Sequence, residues 1–200
     1  VTTLPFGSWP SPISARHLVE ESVGLSDLDV VDGDLVWAEL RPSDGGRVVV
    51  VRSAPDGAPV DLLPAPFSAR SRVHEYGGAP FVVAGDTCWF VNFSDQRIWW
   101  TVKGDPPLPL TPESAPGHQV RYADLVIDAG RTCLYAVRER HGVGGLEGAE
   151  GVVNDLVWIA TDGSGIGVVA EGRDFYAAPR LSPDGSRLVY LSWDLPNMPW

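Results

Sequence analysis

Short apolar runs of four to six residues alternate with breaks rich in Gly, Pro and Asp along most of this chain. Pro179–Trp193 shows the unit most clearly. Ser182-Pro183-Asp184-Gly185 places proline second in a turn, where its fixed φ suits type I or II, and glycine where a positive φ costs little. Leu188-Val189-Tyr190-Leu191 then supplies the β-branched and aromatic content of a half-buried strand. The pattern predicts strand, tight turn, strand.

Weaker copies align on their glycines: Val31-Asp32-Gly33, Val83-Ala84-Gly85, Asp128-Ala129-Gly130 and Asp184-Gly185, each followed four or five positions later by an aromatic residue. The intervals from Gly33 to Gly85 to Gly130 to Gly185 are 52, 45 and 55 residues. An irregular period of that size, built from strands and turns, marks the blades of a β-propeller. A sandwich of similar hairpins is the alternative. Blade one would hold Asp34–Leu40, Arg47–Arg52 and Val60–Leu63. Blade two would hold Pro80–Val83, Thr87–Val91, Gln96–Val102 and Leu108–Leu110, and blade three Tyr122–Val126, Cys133–Arg138, Asp155–Ala160 and Val168–Ala170. Five glycines between His141 and Gly151 predict a flexible loop.

The expected fold is all-β, a partial β-propeller of about three and a half four-stranded blades preceded by a short N-terminal helix. That helix would run from Ser14, a plausible N-cap, to Ser22, with Gly24 just past its end. Residues 1–26 would form an N-terminal extension and residues 27–200 the blades, truncated within the fourth. Too few blades are present to close a ring, so the chain is expected to be a piece of a longer protein, or one completed by another molecule.

A net charge of −11 argues against a nucleic-acid surface. It suits a cationic ligand such as a protonated amine, or simply a solvated acidic surface. No apolar run reaches membrane-spanning length and no secretory pattern opens the chain, so the expectation is a cytoplasmic protein without a membrane partner. Cys88 and Cys133 hold equivalent places in two repeats, where a small buried hydrophobe fits better than a disulfide between blades.

Catalytic constellations are missing from the sequence. No Gly-x-Ser-x-Gly elbow, zinc-protease helix, P-loop or dinucleotide fingerprint occurs, and His17, His74, His118 and His141 lack ligand spacing. No cofactor or metal is therefore expected. The carboxylate of Glu75, between Arg72 and the Gly77-Gly78 pair, could bind an α-ammonium group. Alternatively, it pairs with Arg72 or Arg97 and only orders a domain interface. Arg97, in the turn Asp95-Gln96-Arg97, could clamp a carbonyl or carboxylate with its planar fork, or be a solvated turn residue. Trp37, Trp89, Trp99, Trp100 and Trp158 read as packing between blades, with the neighbours Trp99 and Trp100 pointing to opposite faces.

Several longer segments carry a resemblance: Arg72-Val73-His74-Glu75-Tyr76-Gly77-Gly78, Asn92-Phe93-Ser94-Asp95-Gln96-Arg97, Arg121-Tyr122-Ala123-Asp124, Asp174–Gly185 and Ser192–Trp200. Together with Gly7–Ile13, they resemble the N-terminal propeller of prolyl oligopeptidase family serine peptidases, in the bacterial acylaminoacyl-peptidase and dipeptidyl-aminopeptidase-like branch. The resemblance implies a propeller that limits access to a C-terminal α/β-hydrolase domain, where serine, histidine and aspartate would cleave short peptides or aminoacyl amides. None of those three lies in residues 1–200. On this reading Glu75, Tyr76, Arg97 and Asn197, the last in a Pro-bounded loop, are the substrate-binding candidates. A homo-oligomer is allowed. A non-catalytic TolB-type propeller that binds proteins or peptides is the competing function, and a free-standing domain closed by self-association is a third.

Overall fold

A computed structural model describes residues 3–9, 12–14, 22–103, 105–146 and 148–198. The expected helix from Ser14 to Ser22 falls largely on residues outside that set. Strands form where the apolar runs were legible and turns where Gly and Asp interrupt them. Blade one comprises β1 (Gly24–Val31), β2 (Asp34–Arg41), β3 (Arg47–Ser53) and β4 (Val60–Asp61). Blade two comprises β5 (Phe81–Ala84), β6 (Thr87–Val91), β7 (Ile98–Val102) and β8 (Leu108–Pro109). Blade three comprises β9 (Gln119–Ile127), β10 (Cys133–His141), β11 (Val153–Ala160) and β12 (Ile166–Glu171), and a two-stranded sheet of β13 (Phe175–Leu181) and β14 (Leu188–Trp193) follows. Every sheet is antiparallel with its strands in sequence order, so the domain is an open, partial β-propeller.

The sequence reading missed β1. Its residues are nearly all exposed and its pairing with β2 is broken by a bulge at Asp27, so no clean alternation announces it. The glycine-rich stretch after His141 is not featureless either: it makes two short 3-10 turns, Val143–Gly145 and Gly148–Gly151.

The core lies between sheets. Val36, Ala38, Val48 and Val50 of blade one meet Phe81, Val83, Cys88 and Phe90 of blade two. On the other side of blade two, Trp89, Val91 and Ile98 meet Tyr122, Leu134, Val157 and Ile159 of blade three. Blade two is thus buried on both faces, which explains its continuous apolar strands. Trp99 packs into the first of these cores and Trp100 into the second, as alternation requires. Trp158, by contrast, is partly exposed beside Gly165 and Gly167. Cys88 and Cys133 are free thiols, and burial pushes the pKa of both up.

Consecutive antiparallel strands send their connections alternately to two ends. The turns β1–β2, β5–β6, β9–β10 and β13–β14 emerge at one, the turn end. The connections β2–β3, β6–β7 and β10–β11, the crossings between sheets and the residues after β14 emerge at the other, the loop end.

Candidate functional site at the loop end

A cleft of about 980 Å³ opens at the loop end. The crossing from blade one to blade two provides His74 and Glu75, blade three provides Glu139, His141 and Asn154, and the segment around β13 provides Phe175. Alternation places these groups. Along β10, Glu139 and His141 point one way, while Arg138 and Arg140 point the other and bind the buried carboxylate of Asp155 at 2.7 and 3.0 Å.

Arg121, at the start of β9, is the centre of the charged wall. Its Nη1 donates to Glu75 Oε1 at 2.6 Å, to Glu139 Oε1 at 3.1 Å and to the carbonyl of Arg72 at 2.9 Å. Its Nε and Nη2 both donate to Gln119 Oε1. The two carboxylates differ in exposure. The side chain of Glu139 is 4% exposed and that of Glu75 is 75% exposed, against 8% for Arg121. Glu139 is structural: its Oε2 also accepts the backbone N–H of His74 at 2.7 Å, and Oε1 lies 2.7 Å from His141 Nε2. Glu75 presents its carboxylate outward, and its hydrogen bond with Arg121 holds its pKa below the ordinary glutamate value.

The backbone that delivers Glu75 is unusual. His74 and Glu75 both take left-handed φ values, 55° and 66°, before Gly77 at 90°. Non-glycine residues pay for that conformation and persist in it only when their surroundings enforce it. Here Glu139 grips the N–H of His74, and Ser71 Oγ accepts the N–H of Val73 while donating to the carbonyl of Tyr122 at 2.6 Å. The buried Gln96 accepts the N–H of Arg72 and donates to the carbonyls of Arg70 and Phe93.

An aromatic wall adjoins the carboxylate. The His74 ring lies 5.1 Å from Phe175, which stacks on Trp193 at 5.3 Å and 12°. Burial lowers the pKa of His74, favouring the neutral ring. His74 Nε2, Asn154 Oδ1 and Trp193 Nε1 are buried without hydrogen-bond partners among the described residues.

The sequence candidates scatter unevenly over this end. Glu75 lines the cleft, but its partner is Arg121 rather than Arg72 or Arg97. Tyr76, 60% exposed, sits beside His74 with ring centres 5.6 Å apart. Arg97 lines a separate cleft of about 400 Å³; its Nε donates to the Thr111 carbonyl at 2.8 Å and its guanidinium lies 5.5 Å from the Trp99 ring centre. Asn197 is exposed in the turn after β14 and bonds the Asp194 carbonyl, while Leu195 of that turn reaches the cleft. Sequence reasoning passed over Arg121, Glu139 and His141 as a site. The signal available was Glu139-x-His141, two polar residues that end the side of β10 begun by Cys133, Tyr135 and Val137.

Ligand-type atoms of Glu75, Glu139 and His141 fall within 4.8 Å of one another. The guanidinium of Arg121 already bridges the two carboxylates, so a cation there would meet a fixed positive charge.

No protein-family model matches the sequence, and no curated protein matches it. Among solved structures, the whole chain aligns with puromycin hydrolase at 35% identity and a TM-score of 0.87, the same values as for a mutant of that protein complexed with PGG. It aligns equally completely with a puromycin-hydrolyzing peptidase of Mycobacterium tuberculosis at 37% identity and a TM-score of 0.86. The chain is an all-β domain homologous to the propellers of prolyl oligopeptidase family serine peptidases. It spans about a third of those relatives, 32% of each. Prolyl endopeptidases share only the propeller fold with it, at 11% identity and a TM-score of 0.57. Among the described residues, the peptidase-type propeller carries no catalytic triad.

Proposed function

We propose that this chain is the substrate-gating propeller portion of a serine peptidase that hydrolyses short peptides or aminoacyl amides, with blades from Gly24 onward and a C-terminal α/β-hydrolase domain carrying the triad. The alignment of the whole chain, at 35–37% identity, with puromycin-hydrolysing enzymes carries the reading. The free thiols of Cys88 and Cys133 suit a cytoplasmic setting.

Glu75 is the residue that would select substrates. Its exposed carboxylate meets a substrate's α-ammonium in a charge-assisted hydrogen bond, while the wall of His74 and Phe175 receives the adjoining side chain. Arg121 holds the carboxylate in place and keeps it ionised. Because the pKa of Glu75 is depressed, its pairing is fully present above the ordinary glutamate value and is lost only as pH falls through the depressed one.

The test uses the full-length protein. A serine-reactive phosphonate should label it, and it should release the amine from an aminoacyl amide. Glu75→Gln should raise KM about tenfold for substrates with a free α-ammonium and leave N-acetylated ones unchanged. No phosphonate adduct and no hydrolysis would end the peptidase reading. Equal effects on both substrate sets would remove Glu75 from recognition.

A further inference from the structure

The loop end holds a second charged feature, and it is positive. Arg70 and Arg72, two apart in the crossing from blade one to blade two, both bring their guanidinium groups to the ring of Phe93. Their guanidinium carbons lie 5.0 and 4.9 Å from its centre. The contact is built from both sides. Gln96 fixes the backbone of both arginines, and the Ser68 carbonyl accepts the N–H of Phe93 at 2.8 Å.

Neither arginine makes an ion pair among the described residues, although Arg72 stands near enough to Glu75 to help lower its pKa. The chain has 26 acidic residues against 15 basic ones, so a partner is easily found. At this end Arg41, Arg47, Arg121, Arg138, Arg140 and Arg173 each have one. Arg97 spends its Nε on the Thr111 carbonyl. Arg70 and Arg72 are exposed and make no ion pair among the described residues. A guanidinium attracted to the face of a ring keeps N–H donors for a ligand, and the attraction narrows its positions before one arrives.

We infer that Arg70 and Arg72 form a receptor for the C-terminal carboxylate of a short peptide whose α-ammonium is held by Glu75, an assignment that rests on the function proposed above. Arg72 and Glu75 close a single turn, the N–H of Glu75 donating to the carbonyl of Arg72 at 3.0 Å, so their Cα atoms lie within about 7 Å and their side chains are placed to hold the two ends of a peptide of two or three residues. The two sites together measure a substrate by its ends. A zwitterionic peptide satisfies both, whereas a long chain or an amide satisfies one. This moves the carboxylate clamp from Arg97, where the turn sequence suggested it, to a pair the fold leaves uncommitted.

The experiment compares trialanine with trialanine amide on the full-length protein and its Arg70→Gln/Arg72→Gln double variant, by calorimetric binding and by hydrolysis. The wild type should bind the free acid about tenfold more tightly than the amide, and the variant should lose that preference without weakening amide binding. Equal binding of acid and amide by the wild type, or a preference that survives the double substitution, overturns the inference. So does an equal loss of both ligands together with a lowered Tm, which would mean that the arginines hold an acidic side chain of the protein itself. If the wild type cleaves neither peptide yet still shows an arginine-dependent preference for the acid, the peptidase reading falls and the carboxylate receptor stands.

Discussion

At the turn end, Asp128 accepts the backbone N–H of Thr132 and of Cys133, both at 2.7 Å, and Asp184 accepts that of Ser186 at 3.1 Å. Midway along β9, Asp124 accepts the N–H of Ala79 and of Ala178, both at 2.8 Å, tying blade three to the chain on either side. The chemistry is the same, a carboxylate satisfying backbone donors, but the span is not. The turn-end bonds join residues two to five apart; those of Asp124 join residues 45 and 54 apart, and Glu139 reaches His74 across 65. A turn can therefore take shape before the sheets meet. The cleft exists only once they have.

That contrast can be tested by substitutions of both kinds, read by urea denaturation. Glu139→Ala should cost most, about 3 kcal/mol, because it leaves the buried Arg121 with only the exposed Glu75 as counter-charge and removes the acceptor of the His74 N–H. A loss under 1 kcal/mol would mean that Arg121 finds another partner and the cleft is not built around this pair. Asp124→Ala should come next at about 2 kcal/mol, since two backbone donors lose their acceptor. Gly78 permits that contact: a Cβ there would lie 2.6 Å from Asp124 Oδ1. Gly33→Ala, in an open turn at φ 91°, should cost least, about 1 kcal/mol, through backbone strain alone. If the glycine proved as costly as Glu139, the turns rather than the long-range network would be the weak point of the fold.

Legibility followed the same division. The strands of blades two and three were read within a few residues of their observed bounds, because β-branched and aromatic runs between Gly and Asp breaks are local signals. Strand β1 was not, since its Asp27 bulge breaks the period of two that makes a strand recognisable. The same bulge recurs at Asp124 in β9 and at Ala178 in β13, a structural repeat that only two of the three positions mark with an aspartate. Glu75 was singled out from its setting between Arg72 and a glycine pair. Its partner was misjudged because Arg121 is 46 residues away.

What the sequence determined by itself was the all-β character, the turn positions, the opposed packing of Trp99 and Trp100 and the scarcity of catalytic motifs. These depend on alternation, on the φ preferences of Gly and Pro and on which residue types are present, all properties of neighbouring residues. Tertiary structure decided which charges meet. Arg121 could have paired with any of many acidic residues, and only the stacking of blade three beside the crossing from blade one to blade two brings it to Glu75 and Glu139. The same stacking leaves Arg70 and Arg72 against a ring, with no ion pair among the described residues. Pairing at a distance is a property of assembled sheets, since a side chain's partners are set by what the fold brings within about 3 Å of it.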